Sequence, residues 1–346
     1  MRLPVSALAL LCVSVAACSS DVKSPTQVSP VKPLAVTRVD LAFTGSVPLY
    51  TSRANAINDS GVVVGSAAVN PSDVSRAVVW RPSGYAFEFL PDENVPGGSS
   101  ANAVGRDGVI GGQIGCGTTG AVSCTPVYWR NGVLHKLDGV GQVNGVCPCD
   151  SHTLVGQVLV NGALHGALWI DDVLIDVGVP APYANAQLKA VAHGFIVGNT
   201  FGEAVPDPST AVAFRWAPSS GWTRLEGVSD AGTFAADVNS SGTAVGAAGG
   251  AARWLNGANT PTPIPDQVSE GFFSNSANVI NDSGVVAGTF RGGGHPFPSA
   301  GIWTAADGWT LIAGDMNPIV TDINNSNQVV GYGHDQGEDF AAIWQP

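Results

Sequence analysis

Short apolar segments alternate with glycine- and asparagine-rich turns from about residue 50 to the end of the chain. The clearest unit, Ala54–Gly65 (ANAINDSGVVVG), contains an alternating segment, a polar turn and a run of valines. Gly61 in the turn can adopt a positive φ, and β-branched runs are typical of strands. The pattern therefore predicts two antiparallel strands joined by a tight turn.

The same unit recurs along the chain. Ala101–Gly112, Ala235–Gly246, Ala277–Gly288 and Val320–Gly331 keep its length, and two degenerate copies end at Gly156 and Gly198. Successive copies end 42 to 48 residues apart. A fixed period of this size is the signature of a repeat architecture.

A short segment containing a small residue and ending in tryptophan, such as AVVW at Trp80, follows every copy. These tryptophans are Trp80, Trp129, Trp169, Trp216, Trp254, Trp303 and Trp344. A second turn, such as Asn131-Gly132, then leads to a further alternating segment, such as Val133–Leu137. Four strands in about 44 residues match one blade of a β-propeller.

The two ends of the repeat region complement each other. The seventh unit stops at Pro346 without a fourth strand, whereas Val36–Phe43 alternates like a fourth strand and has no unit before it. Pairing the two segments would remove the exposed edges of an open array. The sequence therefore predicts an all-β, seven-bladed propeller of four-stranded antiparallel blades over residues 36–346, closed by the segment 36–43.

The N-terminus predicts export and anchoring. Residues 1–17 contain Arg2 and an apolar run, as in a signal peptide, and Val15–Cys18 resembles the lipobox of bacterial lipoproteins. We expect lipidation at Cys18, a Pro- and Ser-rich tether over 18–35, and a bacterial cell-envelope location. Ser19 favours the outer membrane by resemblance to sorted lipoproteins. An ordinary secretory signal with an incidental cysteine is the alternative.

The unit ANAINDSG followed by Ala-x-x-Trp resembles the HAF repeat of bacterial extracellular and surface proteins. The resemblance covers most of residues 50–346, and Gly145–Gly156 and Gln187–Gly198 depart from it. It implies an exported repeat protein and supplies no catalytic residues.

Residues that recur in every blade indicate packing. We interpret the seven tryptophans as wedges between blades, with a sugar platform as the alternative for any that face solvent. Trp222 and Trp309 lie outside the repeated position and are better candidates for a surface role. The recurrent asparagines that end the first strand are expected to cap turns rather than to bind calcium, because carboxylates are missing. They are Asn58, Asn239, Asn281 and Asn324.

Four cysteines remain after Cys12 and Cys18. Export favours disulfides, and we expect Cys116 to pair with Cys124. Cys147 and Cys149 are expected to form a strained, reducible bridge or, less favoured, a soft-metal site. No cofactor or metal site is expected.

Charge and the remaining polar residues narrow the function. The net charge of −12 argues against nucleic-acid binding. The histidines form no HxH or HExxH pair. Asp237 and Asp322 share one position of the first strand in two blades, where two nearby carboxylates could serve glycosidic chemistry. Solvated rim acids are the preferred interpretation, and no residue is assigned as catalytic.

The sequence thus favours a non-catalytic binding or scaffold module for a glycan, peptide or protein, recognised through loops between the second and third strands. A polysaccharide hydrolase or lyase is the alternative. Two close acids, or a His/acid pair in one cleft, would favour it. A subunit of an envelope assembly is a third hypothesis.

Overall fold

The structure, a computed structural model, describes residues 37–43, 48–116, 123–149, 152–202, 211–228, 232–265, 272–292, 295–312, 317–335 and 337–345. The signal peptide, Cys18 and the tether lie outside these residues. Within them, no helix has the length and apolar character needed to cross a bilayer.

Twenty-eight strands form seven four-stranded antiparallel sheets, which confirms the predicted seven-bladed propeller. Blade one contains β2 (Thr51–Ile57), β3 (Val63–Ala68), β4 (Arg76–Trp80) and β5 (Phe87–Phe89). Blade two contains β6 (Ser99–Val104), β7 (Ile110–Ile114), β8 (Thr125–Arg130) and β9 (Val133–Lys136). Blade three contains β10 (Gly141–Val146), β11 (Thr153–Val160), β12 (Ala163–Ile170) and β13 (Val173–Gly178).

The other blades follow the same order. Blade four contains β14 (Asn185–Ala192), β15 (Phe195–Phe201), β16 (Val212–Ala217) and β17 (Gly221–Arg224). Blade five contains β18 (Thr233–Val238), β19 (Ala244–Ala248), β20 (Ala251–Trp254) and β21 (Thr262–Pro263). Blade six contains β22 (Phe272–Ile280), β23 (Val286–Gly292), β24 (His295–Thr304) and β25 (Gly308–Ile312). Blade seven contains β26 (Ile319–Ile323), β27 (Val329–Asp335), β28 (Glu338–Gln345) and β1 (Thr37–Asp40).

The N-terminal strand closes the ring. β1 pairs antiparallel with β28, with Thr37 opposite Gln345 and Asp40 opposite Ala342. The strand is shorter than the predicted segment, because residues 41–43 turn into a short 3₁₀ helix. Leu41 is fully buried there, and its carbonyl accepts a 3.2 Å hydrogen bond from the indole of Trp80. The chain therefore leaves the sheet to fill the interface with blade one.

Each blade's first strand contains a β-bulge opposite the repeated glycine. The bulged residues are Asn55, Asn102, Asn144, Lys189, Ala236, Asn278 and Thr321. The glycine is required because a Cβ on Gly65 would lie 1.8 Å from the carbonyl oxygen of Arg53. The glycines at 112, 156, 198, 246, 288 and 331 are equally crowded, with 1.8–2.2 Å to a carbonyl oxygen. The repeated glycine thus leaves room for the bulge.

The tryptophans of the third strands lie between neighbouring blades. Trp80, Trp129, Trp169 and Trp254 are almost completely buried. The indole of Trp129 donates to the carbonyl of Pro91 at 2.7 Å, and that of Trp254 donates to the carbonyl of Glu226 at 3.0 Å. Each acceptor follows the fourth strand of the preceding blade. The indole therefore fastens one blade to the next as well as filling the interface.

Blades four and six use a different tryptophan for this bond. Trp222 donates to the carbonyl of Val177 at 3.1 Å, and Trp309 donates to that of Pro265 at 2.9 Å. Trp309 is 4% exposed, so the expected surface role is wrong for it, whereas Trp222 is half-buried and a surface role for it stays a prediction. Register places both residues there, because each lies directly opposite the repeated tryptophan of its blade.

Two disulfides are present. Cys116 and Cys124 join the end of β7 to the start of β8. Cys147 and Cys149 pair in the turn between β10 and β11.

Candidate functional site

The seven first strands surround a central channel with a cavity of about 850 Å³. Its wall is rich in amides and hydroxyls and includes side chains from every blade. We call the end where the first strands begin the loop face, because it carries the loops between second and third strands. The opposite end, with the turns between first and second strands, is the turn face.

The bulged residues link the blades around the channel. The amide nitrogen of Asn55 donates to the carbonyl of Ala101 at 2.8 Å. Equivalent bonds of 2.8–2.9 Å join Asn102 to Val143, Asn144 to Leu188 and Asn278 to Val320. Thr321 donates its hydroxyl to the carbonyl of Ala54 at 2.8 Å across the seam. We call these five side chains the bulge ring.

The bulge ring is interrupted in blades four and five, where Lys189 and Ala236 occupy the bulge. The main chain of Ala235 is instead held by Asn199, which donates to its carbonyl and accepts from its N–H, both at 2.8 Å. Within the part of the chain that the structure describes, the Lys189 ammonium makes no hydrogen bond or ion pair. Lys189 is half-buried and lines the channel.

A second set of bonds lies nearer the turn face. The side-chain oxygen of Asn58 accepts from the N–H groups of Ser60 and Val62 at 3.1 and 3.0 Å. Its nitrogen donates to the carbonyl of Gly105 at 3.0 Å. Asn239, Asn281 and Asn324 repeat this arrangement, and Asn324 donates to the carbonyl of Asn58 across the seam. These residues cap turns, and they also fasten blades, which the sequence did not reveal.

Asp237 and Asp322 both line the channel. The two oxygens of Asp237 accept from the N–H groups of Val238 and Ile280, at 2.8 and 2.9 Å. Asp322 likewise accepts from Ile323 at 2.7 Å and from Ile57 at 2.8 Å. Each carboxylate therefore connects its own blade to the next one.

The two acids and Lys189 form one electrostatic group. Burial raises the pKa of Asp237 to about 6, and the N–H donors and Lys189 oppose that rise. Burial and the charge of Asp237 raise the pKa of Asp322 to about 8. Burial lowers the pKa of Lys189, while both carboxylates raise it. The sequence indicated the two acids but not Lys189, because Lys189 lies in a degenerate copy of the repeat and only the strand pairing shows that it is equivalent to Asn55.

An aromatic side chain lies at the loop-face end of this group. Phe234 lines the channel and is 38% exposed, whereas Ser100, Gln142 and Ser276 hold the same position in three other blades. The N–H of the preceding Thr233 donates to the carbonyl of Ala211 at 2.9 Å, next to the loop between β15 and β16. Phe234 therefore borders the loop face, next to the segment that joins β15 to β16.

His/acid pairs occur away from the channel wall. His334 lies 3.0 Å from Asp339, which also pairs with Arg53 at 2.5 Å, and His165 lies 2.8 Å from Asp176. None of the four His and Asp residues in these pairs lines the channel. Among the described residues, no group of three or more His, Cys, Asp and Glu side chains could hold a metal ion.

The chain matches no protein-family model, and no curated protein is similar to it in sequence. The resemblance to HAF repeats stays a prediction. Solved structures share the fold. The β-propeller domain of the trilobed protease from Pyrococcus furiosus, described as having an open velcro topology, is 12% identical with a TM-score of 0.58. The match covers 85% of this chain and 95% of that domain.

Two further structures are similar at the level of fold. A prolyl endopeptidase is 12% identical with a TM-score of 0.57, over 82% of this chain and 45% of that one. TolB from Acinetobacter baumannii is 11% identical with a TM-score of 0.50, over 87% and 68%. This chain spans about half the length of the peptidases it resembles. The protein is therefore a seven-bladed propeller similar in fold to propeller domains of peptidases and to TolB.

Proposed function

We propose that the protein is an exported lipoprotein whose propeller binds a glycan, peptide or protein in its channel without catalysis. The observation that carries this proposal is the engagement of Asp237 and Asp322 with the main chain. Both oxygens of each carboxylate accept backbone N–H groups, one of them from the next blade. These acids are parts of the wall.

The chemistry of glycoside cleavage asks for something different. One carboxyl group must deliver a proton to the leaving oxygen while the other approaches the sugar carbon or activates water. Asp237 and Asp322 are oriented by four N–H donors toward the blades, which favours a fixed wall over a mobile acid/base pair. The cavity of about 850 Å³ lies within the range of small-molecule sites and supports binding.

The proposed location follows from the N-terminus. Lipid on Cys18 would anchor the chain, and the tether over 18–35 would hold the propeller up to roughly 50 Å from the bilayer at about 3 Å per residue. Export of this kind would place the channel where envelope or extracellular polymers are available. The HAF-like repeat is consistent with that location.

A binding screen tests the proposal. The soluble propeller, residues 36–346, is applied to a glycan array and to a peptide library, and each ligand found is then incubated with it for a day. We expect saturable binding with the ligand recovered intact. Failure to bind any member of either set would contradict the proposal.

The second candidate is a polysaccharide hydrolase or lyase. One observation favours it. The environments of the two channel carboxyl groups give them different pKa values, about 6 for Asp237 and about 8 for Asp322. In that case the incubated glycan would be cleaved, and Asp237→Asn and Asp322→Asn would each abolish cleavage while the fold is retained.

A further inference from the structure

The channel is not uniform around its circumference. In blades one, two, three and six the bulge holds an asparagine whose amide is bonded to the next blade. In blades four and five it holds Lys189 and Ala236, and Phe234 stands near them on the same strand as Ala236. Blades four and five therefore contribute an aromatic ring, an ammonium group and the carboxyl group of Asp237 to the channel wall, and Asp322 of blade seven lines the same channel.

The ammonium group of Lys189 offers three N–H donors, and no described residue accepts from them. Lys189 is half-buried, and its ammonium faces the cavity that it lines, so these donors are available to a ligand there. Neither carboxylate lies within ion-pair distance, although both act on Lys189 electrostatically. All three side chains line the same cavity, which is where a ligand group would contact them.

Such a group has to accept from the ammonium and donate to the carboxylates. A hydroxyl does both, and a carboxylate retains lone pairs beyond the two already used by backbone N–H groups. A charged ligand fits less well. An anion would approach two acids in a protein of net charge −12, and a cation would be repelled by Lys189.

The distance between Phe234 and Asp237 along β18 also suits a chain rather than a single small molecule. Phe234 lies opposite Ala247 and Asp237 lies opposite Val245, so the bulge leaves them two strand residues apart, which corresponds to about 7 Å. An aromatic face at the loop-face mouth can stack on the apolar face of one sugar ring, while a second ring reaches the acids and Lys189.

We infer that the channel sector formed by Phe234, Lys189, Asp237 and Asp322 binds a neutral sugar chain that enters from the loop face. This inference rests on the proposed binding function and specifies its ligand. Lys189 donates to hydroxyls, the two acids accept from them, and Phe234 stacks on a ring.

Titration calorimetry with defined oligomers tests the inference. The probes are cellohexaose, maltohexaose, mannohexaose and xylohexaose as neutral chains, hexagalacturonate as an acidic chain, and hexa-alanine as a peptide. The proteins are the wild type, Lys189→Met, Lys189→Arg and Phe234→Ala. Lys136→Met and Leu255→Ala are matched controls at exposed positions outside the channel.

We expect a neutral chain to bind the wild type. Lys189→Met should weaken that binding about tenfold or more, since a hydrogen bond to a charged group has this value. Phe234→Ala should also weaken it, because the ring on which the sugar stacks is removed. Lys189→Arg should recover part of the loss, and both controls should bind like the wild type. Thermal melting should show that Lys189→Met is folded, because the Lys189 ammonium makes no hydrogen bond or ion pair to a described residue.

Two results would overturn the inference while leaving the binding function intact. One is neutral-chain binding that neither Lys189→Met nor Phe234→Ala changes. The other is binding of hexagalacturonate or hexa-alanine in preference to every neutral chain. If no probe binds and the array and peptide library are also negative, the proposed function fails as well.

Discussion

The carboxylate of Asp322 accepts a 2.8 Å hydrogen bond from the N–H of Ile57, and these two residues lie on opposite sides of the seam of the ring. The bonds from Thr321 to Ala54 and from Asn324 to Asn58 cross the same seam. The ring is therefore closed at its centre by side chains and at its circumference by β1. Both closures join the last blade to the first.

Replacing Asp322 by asparagine should destabilise the propeller. The amide has only one oxygen, so one of the two N–H groups now bound by the carboxylate loses its acceptor. A buried unpaired N–H costs about 1–3 kcal/mol, and we expect a loss of that size in the free energy of unfolding at pH 5. Urea titration measures it. A variant as stable as the wild type would show that the seam does not depend on this bond.

Stability should fall between pH 4 and pH 8. The pKa values of Asp237 and Asp322 are raised to about 6 and about 8, whereas an unfolded aspartate titrates near 3.9. In this interval the folded protein holds protons that the unfolded chain has released. The free energy of unfolding therefore decreases as the pH rises through both values.

The variants provide the control for this pH dependence. Asparagine does not titrate, so Asp237→Asn and Asp322→Asn should each flatten the curve of stability against pH. A curve equally steep in both variants would assign the dependence to other groups.

The glycine opposite the bulge should not tolerate a methyl group. A Cβ on Gly65 would lie 1.8 Å from the carbonyl oxygen of Arg53, so Gly65→Ala must displace the first strand of blade one. We expect a cost of about 3 kcal/mol, at the upper end for overpacked sites. Gly84→Ala in the same blade is the matched control, because φ is +91° there but no atom lies within 4 Å of the added Cβ. It should cost about 1–2 kcal/mol. Equal losses in the two variants would mean that the first strand moves away from the added Cβ at no further cost in the free energy of unfolding.

Trp309 should behave as a core residue. Trp309→Ala removes a buried ring and its bond to the carbonyl of Pro265, and a loss of about 3–5 kcal/mol is expected. Trp222→Ala should cost less, because Trp222 is half-buried. Chemical unfolding of both variants measures the difference. A loss below that of Trp222→Ala would return Trp309 to the surface role that its sequence position suggested.

Membrane attachment should depend on one sulfur. In a bacterial host, Cys18→Ser should move the protein from the membrane fraction to the soluble fraction and abolish incorporation of labelled fatty acid. Cys12→Ser is the control and should leave both unchanged. Continued membrane association and labelling of Cys18→Ser would exclude the proposed anchor.

The repeat made the architecture predictable, because seven glycines and seven tryptophans alternate at a blade-sized period and Val36–Phe43 supplies the missing strand. The roles of the channel residues were harder to predict from the sequence. The bulge depends on how the first strand pairs with the second, and the roles of Asn55 and Asp322 depend on contacts with another blade. Lys189 lay in a degenerate copy, where its register became clear only from the pairing.

The burial of Trp309 could not be predicted from the sequence either. Its place at the start of a fourth strand gave no indication that it would lie opposite Trp303 and reach the preceding blade. The register between β24 and β25 determines the burial of Trp309. That register depends on the turn between Trp303 and Trp309, whose geometry the sequence does not specify.

Native mass spectrometry on the propeller incubated with its best-bound neutral oligosaccharide tests whether the channel binds a sugar chain without cleaving it, because it reports occupancy and ligand integrity together. We expect a one-to-one complex carrying the intact sugar, with occupancy strongly reduced in Lys189→Met and unchanged in Lys136→Met. Shortened sugar products from the wild type, missing from both Asp237→Asn and Asp322→Asn, would contradict it and make the channel an active site.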